Sequence, residues 1–216
     1  MDNVYYERGP LYNFIMKITT KMGDKGETSL FGHPPQAGAG GRRVSKASRI
    51  IDVIGELDEL QAVVGWCRVG AKAVAGADKV SPPCPPLAWV TLFDRVVDDI
   101  YRMMSIVGFE FKCPKNIKPI GEQDVEFLEK EMSKYEKIVG DLNKFVRPGG
   151  SEISARLHIA RTVCRRVERG MVGLIENLGN GKGKGPACGG LVLKYLNRLS
   201  DLLFVMTVTA DQLLGK

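Results

Sequence analysis

Apolar residues recur at steps of three and four along most of this chain, a spacing that predicts helices rather than strands. Ile50, Ile51, Ile54, Leu57, Leu60 and Val64 mark an amphipathic helix over about residues 47–73. The Pro82–Pro86 break then gives way to Leu87, Val90, Phe93, Val97, Ile100, Met104 and Val107, which carry a second helix to about Phe111. A third, more polar helix is expected over Glu122–Val139, with Val125, Leu128, Met132, Tyr135 and Ile138 on one side. Ser151, just after Pro148-Gly149-Gly150, is placed to accept the free amides of a fourth helix from Glu152 to about Glu176. A loop rich in Gly and Lys, 180–189, precedes a leucine-dense fifth helix over about 190–214. Residues 17–32 have no helical period and read as a structured loop, followed by a spacer with Pro34, Pro35 and Gly38–Gly41. With no sustained period-two alternation, the predicted fold is all-α, a five-helix up-and-down bundle.

Composition narrows the classes. The chain has 216 residues, long enough for one well-buried core, with 44% hydrophobic and 26% charged residues. No stretch approaches the roughly 18 apolar residues of a membrane span. Residues 1–16, with Glu7 and Pro10, lack a basic segment followed by an apolar one, so a cytoplasmic protein is expected. Cys67, Cys84, Cys113, Cys164 and Cys188 are scattered without a Cys-x-x-Cys pair and read as reduced thiols. Only His33 and His158 are present, so a histidine-rich metal site is not expected. A formal charge of +6 favours an anionic partner without choosing among nucleotides, polyphosphate, nucleic acid and acidic membranes.

The fourth helix carries the candidate chemistry. On a wheel of about 100° per residue, His158, Arg161, Arg165, Glu168 and Arg169 share an arc of about 100°. Leu157, Ala160, Val163, Cys164, Val167, Met171 and Leu174 lie opposite as a core face. Arginines on one stripe repel one another unless an anion or facing carboxylates compensate, so the stripe fits a polyanion; a merely solvated basic face is the competing reading. Thr20, Lys21, Gly23, Lys25, Gly26, Thr28 and Ser29 suit phosphate through amides, hydroxyls and charge, although neither a Walker loop nor a Gly-x-Gly-x-x-Gly occurs. Asn197 and Asp201 share a face of the fifth helix; an asparagine can read an adenine edge or a ribose, or only satisfy a neighbouring helix. Phe145, beside the Pro-Gly-Gly turn, reads in isolation as a core anchor.

Taken in order, Lys17–Gly32, Val44–Lys46 with Gly55–Leu60, Phe145–Ser151, Leu157–Arg169 and Tyr195–Val205 resemble the cob(I)alamin adenosyltransferase family of the propanediol-utilisation (PduO) type. The resemblance covers nearly the whole chain. It implies a homotrimer with sites between subunits, binding ATP with Mg2+ and a cobalamin whose lower base is detached. It implies ATP contacts at Thr20, Lys21, Met22, Gly23, Thr28, Ser29 and Lys46, along the run Arg165, Arg166, Val167, Glu168 and Arg169, and at Asn197. It also implies a salt bridge of Asp58 with Arg161 across the subunit boundary, Phe145 as a wall of the corrin pocket that excludes a lower axial ligand, and Arg165 as the cation at the departing triphosphate. The protein supplies no resident metal in this reading. A reductase and an adenosylcobalamin-dependent acceptor enzyme are the implied partners, with no nucleic acid and no membrane.

Residues 1–15 match nothing in that pattern and are read as an extension or a mis-called start, leaving 16–216 as one domain. Four departures stand out. An extra Gly- and Pro-rich stretch separates Gly32 from Lys46, and an arginine usual four residues after that lysine stands instead at Arg49. Arg147 replaces an apolar residue, and Met206–Ala210 replaces an Ala-Arg-Tyr-Ala continuation. Two alternatives are a basic helical module for single-stranded nucleic acid, which lacks interleaved exposed aromatics, and a non-catalytic cobalamin chaperone or sensor, which would not need Arg161, Arg165, Glu168 and Asn197 together.

Overall fold

The five apolar patterns all fold as helices: α1 Arg49–Ala75, α2 Pro86–Gly108, α3 Glu122–Val139, α4 Glu152–Leu178 and α5 Gly189–Leu214. The computed structural model describes residues 21, 23–30, 42–76, 86–112, 117–142, 145–178, 186 and 188–214. The second helix stops short of Phe111 because Glu110 and Phe111 take left-handed backbone, φ 52° and 62°, which a right-handed helix cannot continue through. Phe111 is nevertheless buried, which is why its apolar side chain prolongs the sequence pattern. Ser151 caps α4 as expected, its Oγ accepting the Ser154 amide at 3.2 Å.

One expectation needs correcting. Part of the glycine-rich loop is a strand, β1 Glu27–Leu30, paired antiparallel with β2 Arg42–Ser45 in the register Thr28 to Val44 and Ser29 to Arg43. Glu-Thr-Ser-Leu and Arg-Arg-Val-Ser show no apolar alternation because most of their side chains stay partly in solvent, so the usual sequence signal of a strand is missing.

Close backbone packing runs α2 to α1, α1 to α4, α4 to α5 and α5 to α3, so the spatial order is not the chain order. Consecutive α2 and α3 meet mainly through side chains. Trp89 packs edge-on to Tyr135 at 6.0 Å between centroids, and the Arg95 guanidinium sits 5.4 Å over Phe127. Asp99 and Asp124, both buried, hold Arg95 and Arg102 between α2 and α3, and Tyr195 of α5 donates its hydroxyl to Asp99 at 2.9 Å. The apolar faces supply the core: Leu57, Leu60 and Val64 of α1, Phe93 and Ile100 of α2, Leu128 of α3, Leu157 and Val167 of α4, Leu196 and Leu203 of α5. Each such side chain contributes about 1.5–3 kcal/mol by burial. Leu87 and Ile138, counted among the apolar faces, are exposed. Among the described residues no helix is long and apolar enough to cross a membrane.

Candidate active site

The phosphate-suited loop is drawn against the start of α1. Lys21 and Gly26 take positive φ, 55° and 76°, which turns the chain into β1. The Lys46 amide donates to the Gly26 carbonyl at 2.8 Å, and its ammonium lies over Gly23, where a Cβ would stand 2.9 Å from Nζ. Gly23 is thus the residue that lets Lys46 close on the loop. Thr28 and Ser29 are half-buried on β1, and Arg43 donates to Ser29 Oγ at 3.4 Å. The structure therefore brings Lys21, Gly23, Thr28, Ser29 and Lys46 onto one hairpin; Thr20 and Met22 lie outside the described residues.

The second half of the site is the seam between α4 and α5. Asn197 donates its amide to Glu168 at 3.2 Å, and the Arg161 guanidinium sits 5.9 Å from the Phe204 ring. Arg169 donates back to the Arg165 carbonyl at 3.0 Å, which lays the two arginines along one face. Arg165 and Arg169 are exposed, and among the described residues Arg161, Arg165 and Arg169 have no carboxylate in ion-pair range within the chain. Arg166 differs: it pairs with Glu59 of α1. Val167 is fully buried, so within this run its side chain belongs to the core and offers nothing to a ligand. Three uncompensated guanidinium groups on one stripe make an electropositive surface suited to a polyphosphate.

His158 departs from the basic face on which the wheel puts it. It is 7% exposed, and neither ring nitrogen has a partner. Burial, and then the charge of Arg161, push its pKa down against the opposing pull of Asp211, so the ring is neutral near pH 7. Asp211 is itself anchored by Ser151 Oγ at 3.3 Å and lies against Gly150, where a Cβ would fall 2.5 Å from its carboxyl carbon. The sequence pattern does not single out Asp211, which follows the last family-like segment.

Asp58 is exposed on α1, and among the described residues it makes no ion pair within the chain, so Arg161 and Asp58 are both left available to another molecule. Phe145 is 105% exposed, which excludes the core-anchor reading. Arg49 donates to the Gly170 carbonyl of α4 at 3.4 Å. Glu56 presses a buried, unpartnered carboxylate oxygen against the same glycine, where a Cβ would stand 2.3 Å away. Arg49 is the arginine displaced from its usual place after Lys46, and Glu56 lies within the family-like segment Gly55–Leu60; the contact of both with Gly170 is what the sequence does not show. No group of three or more His, Cys, Asp or Glu side chains able to hold a metal occurs among the described residues.

Known proteins are similar to this chain in sequence and fold. The corrinoid adenosyltransferase of Bacillus subtilis is 34% identical over 189 residues, covering 88% of this chain and 83% of that one. The cobalamin adenosyltransferase of Cupriavidus metallidurans is 33% identical over 198 residues, with 90% and 88% covered. A solved structure of a phenylalanine-to-histidine variant of the PduO-type ATP:corrinoid adenosyltransferase from Lactobacillus reuteri, complexed with cobalamin and ATP, superposes with a TM-score of 0.68. It is 25% identical, with 91% of this chain and 92% of that one covered. The family profile described as cobalamin adenosyltransferase matches residues 18–210, from the loop before β1 through nearly all of α5. By that match and by the relatives' identity over most of their length, the chain belongs to the cobalamin adenosyltransferase family.

Proposed function

We propose that this protein transfers the 5′-deoxyadenosyl group of ATP to the cobalt of a reduced cobalamin or related corrinoid, releasing triphosphate and forming adenosylcobalamin. The observation that carries the reading is the uncompensated pair Arg165 and Arg169, on the face that Arg161 begins, beside the Glu168–Asn197 pair. It offers cations for triphosphate next to an amide able to read adenine or ribose, and the Gly23–Lys46 hairpin supplies a further cation. The Lactobacillus reuteri relative is complexed with cobalamin and ATP, which supports the same pair of substrates here.

The reaction is a displacement at carbon. The filled orbital of cobalt(I) attacks C5′, the cobalt–carbon bond forms, the C5′–O bond breaks, and triphosphate leaves with the electron pair. Cobalt ends formally as cobalt(III). The charge gathering on the leaving oxygen must be met by groups already in place, a role assigned here first to Arg165. Lys21, Gly23, Thr28, Ser29 and Lys46, with Arg166, Glu168, Arg169 and Asn197, bind ATP in this reading, and Thr20 and Met22 complete the loop. ATP would enter as its magnesium complex, the cation carried by the substrate phosphates.

Phe145 presents its whole ring to solvent, as a wall for a corrin face would before the ligand binds. By keeping an axial ligand off cobalt it eases the reduction to cobalt(I). Asp58 and Arg161 join across the boundary of a homotrimer, in which each site is shared by two subunits. Residues 16–216 form the enzyme domain, with 1–15 as an extension; the protein works in the cytoplasm, with a reductase upstream and an adenosylcobalamin-dependent enzyme downstream. Purified protein given ATP and cobalt(I) without oxygen should form the light-sensitive cobalt–carbon bond and triphosphate in equal amounts; a folded protein that forms neither rules the reading out.

A further inference from the structure

Ser154, His158 and Arg161 follow one another along α4 at spacings of four and three, so they share a side of the helix. Each carries buried polar atoms with no partner: Ser154 Oγ, both ring nitrogens of His158, and Nε of Arg161. Buried groups left unpaired destabilise a fold, and a row of them marks an arrangement completed in another state. The ring nitrogens are sealed from solvent within the chain, so the charged groups that act on the ring are the candidates to complete the row.

Two charged side chains act on the ring from opposite elements, Arg161 on α4 and Asp211 on α5. A neutral imidazole has one N–H to donate and one nitrogen to accept. Arg161 has a spare donor at Nε, and Asp211, which accepts from Ser151 through one oxygen, has a further oxygen to offer. Asp211 is pressed on Gly150, so its place is set by the turn that follows Phe145.

We infer that His158 is a positioning residue that accepts the Nε–H of Arg161 and donates its own N–H to Asp211, tying Arg161 to the turn 148–151. Adjustment of side-chain torsions completes the chain Ser151, Asp211, His158, Arg161 when the site assembles. Arg161 is then presented to the subunit boundary in one orientation, and the loop bearing Phe145 is linked to it. The inference rests on the reading of Arg161 as a site residue.

The test uses His158→Gln, His158→Leu and Asp211→Asn in the full chain, with steady-state kinetics and sedimentation. His158→Leu should lower kcat/KM for the corrinoid about tenfold or more while KM for ATP stays within about twofold. His158→Gln, which keeps a donor and an acceptor, should recover to within about threefold of wild type. Adding Asp211→Asn to His158→Leu should cost nothing further, because both break one chain. Leucine as good as histidine, glutamine as poor as leucine, or losses that multiply would each overturn the role. If the leucine variant does not fold, Asp211→Asn decides: it should lower kcat/KM for the corrinoid about tenfold in both the wild-type and the His158→Gln backgrounds, and no loss in either background overturns the role.

A readout independent of activity comes from the ring itself. The chain has 2 histidines, so imidazole nitrogen resonances of the wild type are simple to assign. Those of His158 should report one N–H and one accepting nitrogen, and should move in Asp211→Asn and in Arg161→Lys. Resonances that ignore both substitutions overturn the inference even in an active enzyme. An inactive wild type whose ring responds to both leaves the positioning role standing and places the failure in the proposed reaction.

Discussion

Asn197 on α5 donates its side-chain amide to the Glu168 carboxylate on α4 at 3.2 Å, an exposed hydrogen bond that spans the two helices beside the arginine stripe. Arg165 lies one turn before Glu168, exposed and without an ion-pair partner among the described residues, while its neighbour Arg166 is spent on Glu59. The two arginines differ accordingly: Arg166 ties α4 to α1, and Arg165 faces solvent.

Arg165→Ala should therefore lower turnover about a hundredfold or more, comparable to losing one preorganised donor at a developing charge. The fold should survive, because the side chain is exposed. A properly folded variant with unchanged turnover removes Arg165 from the triphosphate.

The exposure of Phe145 makes its test unusually clean. A buried phenylalanine truncated to alanine costs about 3–5 kcal/mol, but an exposed one should change stability by no more than about 0.5 kcal/mol. Phe145→Ala should keep its melting temperature and yet lose far more activity from cobalt(II) with a mild reductant than from pre-reduced cobalt(I). Equal losses in the two assays would deny it a part in excluding an axial ligand.

Asp124 gives a pH-dependent prediction. Burial raises its carboxyl pKa, but the Gly121 amide at 2.9 Å, then Arg102 and Arg95, outweigh that and hold it below the ordinary value. A carboxylate so depressed stabilises the fold above its unfolded pKa, about 3.9, and loses that contribution as pH falls through the lower folded value. Asp124→Ala should cost about 1.5–3 kcal/mol at neutral pH, since it removes one of the two carboxylates that hold Arg95 and Arg102 and leaves both to Asp99, and should flatten the acid side of the stability curve. Denaturant titrations at pH 7 and pH 3 check both; equal wild-type and variant stability at pH 7 would contradict the account.

The helices were legible because a 3.6-residue period survives in every one of them, and Ser151 after Pro-Gly-Gly identified the α4 cap. The hairpin was not, because its strands bury too little to alternate and its partners are separated by the Gly- and Pro-rich spacer. A helical wheel gives direction but not depth, which is why His158 read as part of a basic face although it is buried. Phe145 failed in the opposite sense, its apolar character suggesting a core that the turn does not reach. Of the candidate site, the arginine stripe and Asn197 could be read from spacing, and Arg49 and Glu56 from the family-like segments, but their contacts with Gly170, like that of Asp211 with Gly150, join segments far apart in the chain.

Asp58 and Arg161 test the assembly. Neither has an ion-pair partner within the chain among the described residues, and the proposed pairing across subunits would give each one. Asp58→Asn or Arg161→Ala should weaken trimer and activity together, by up to about 3–5 kcal/mol if the interface buries the pair. Exchanging the charges, Asp58→Arg with Arg161→Asp, should restore part of the assembly, and a double-mutant cycle measures the coupling. Sedimentation of the wild type as a monomer at micromolar concentration, or a cycle without coupling, defeats the shared site.

The central claim is the transfer itself, and it is tested most directly by mixing the purified protein anaerobically with ATP and chemically reduced cobalamin and following both products. The account predicts a light-sensitive cobalt–carbon bond appearing in step with one equivalent of triphosphate, and loss of both in Arg165→Ala. A folded wild-type protein that leaves cobalt(I) unalkylated, or that cleaves ATP without forming the cobalt–carbon bond, would contradict it.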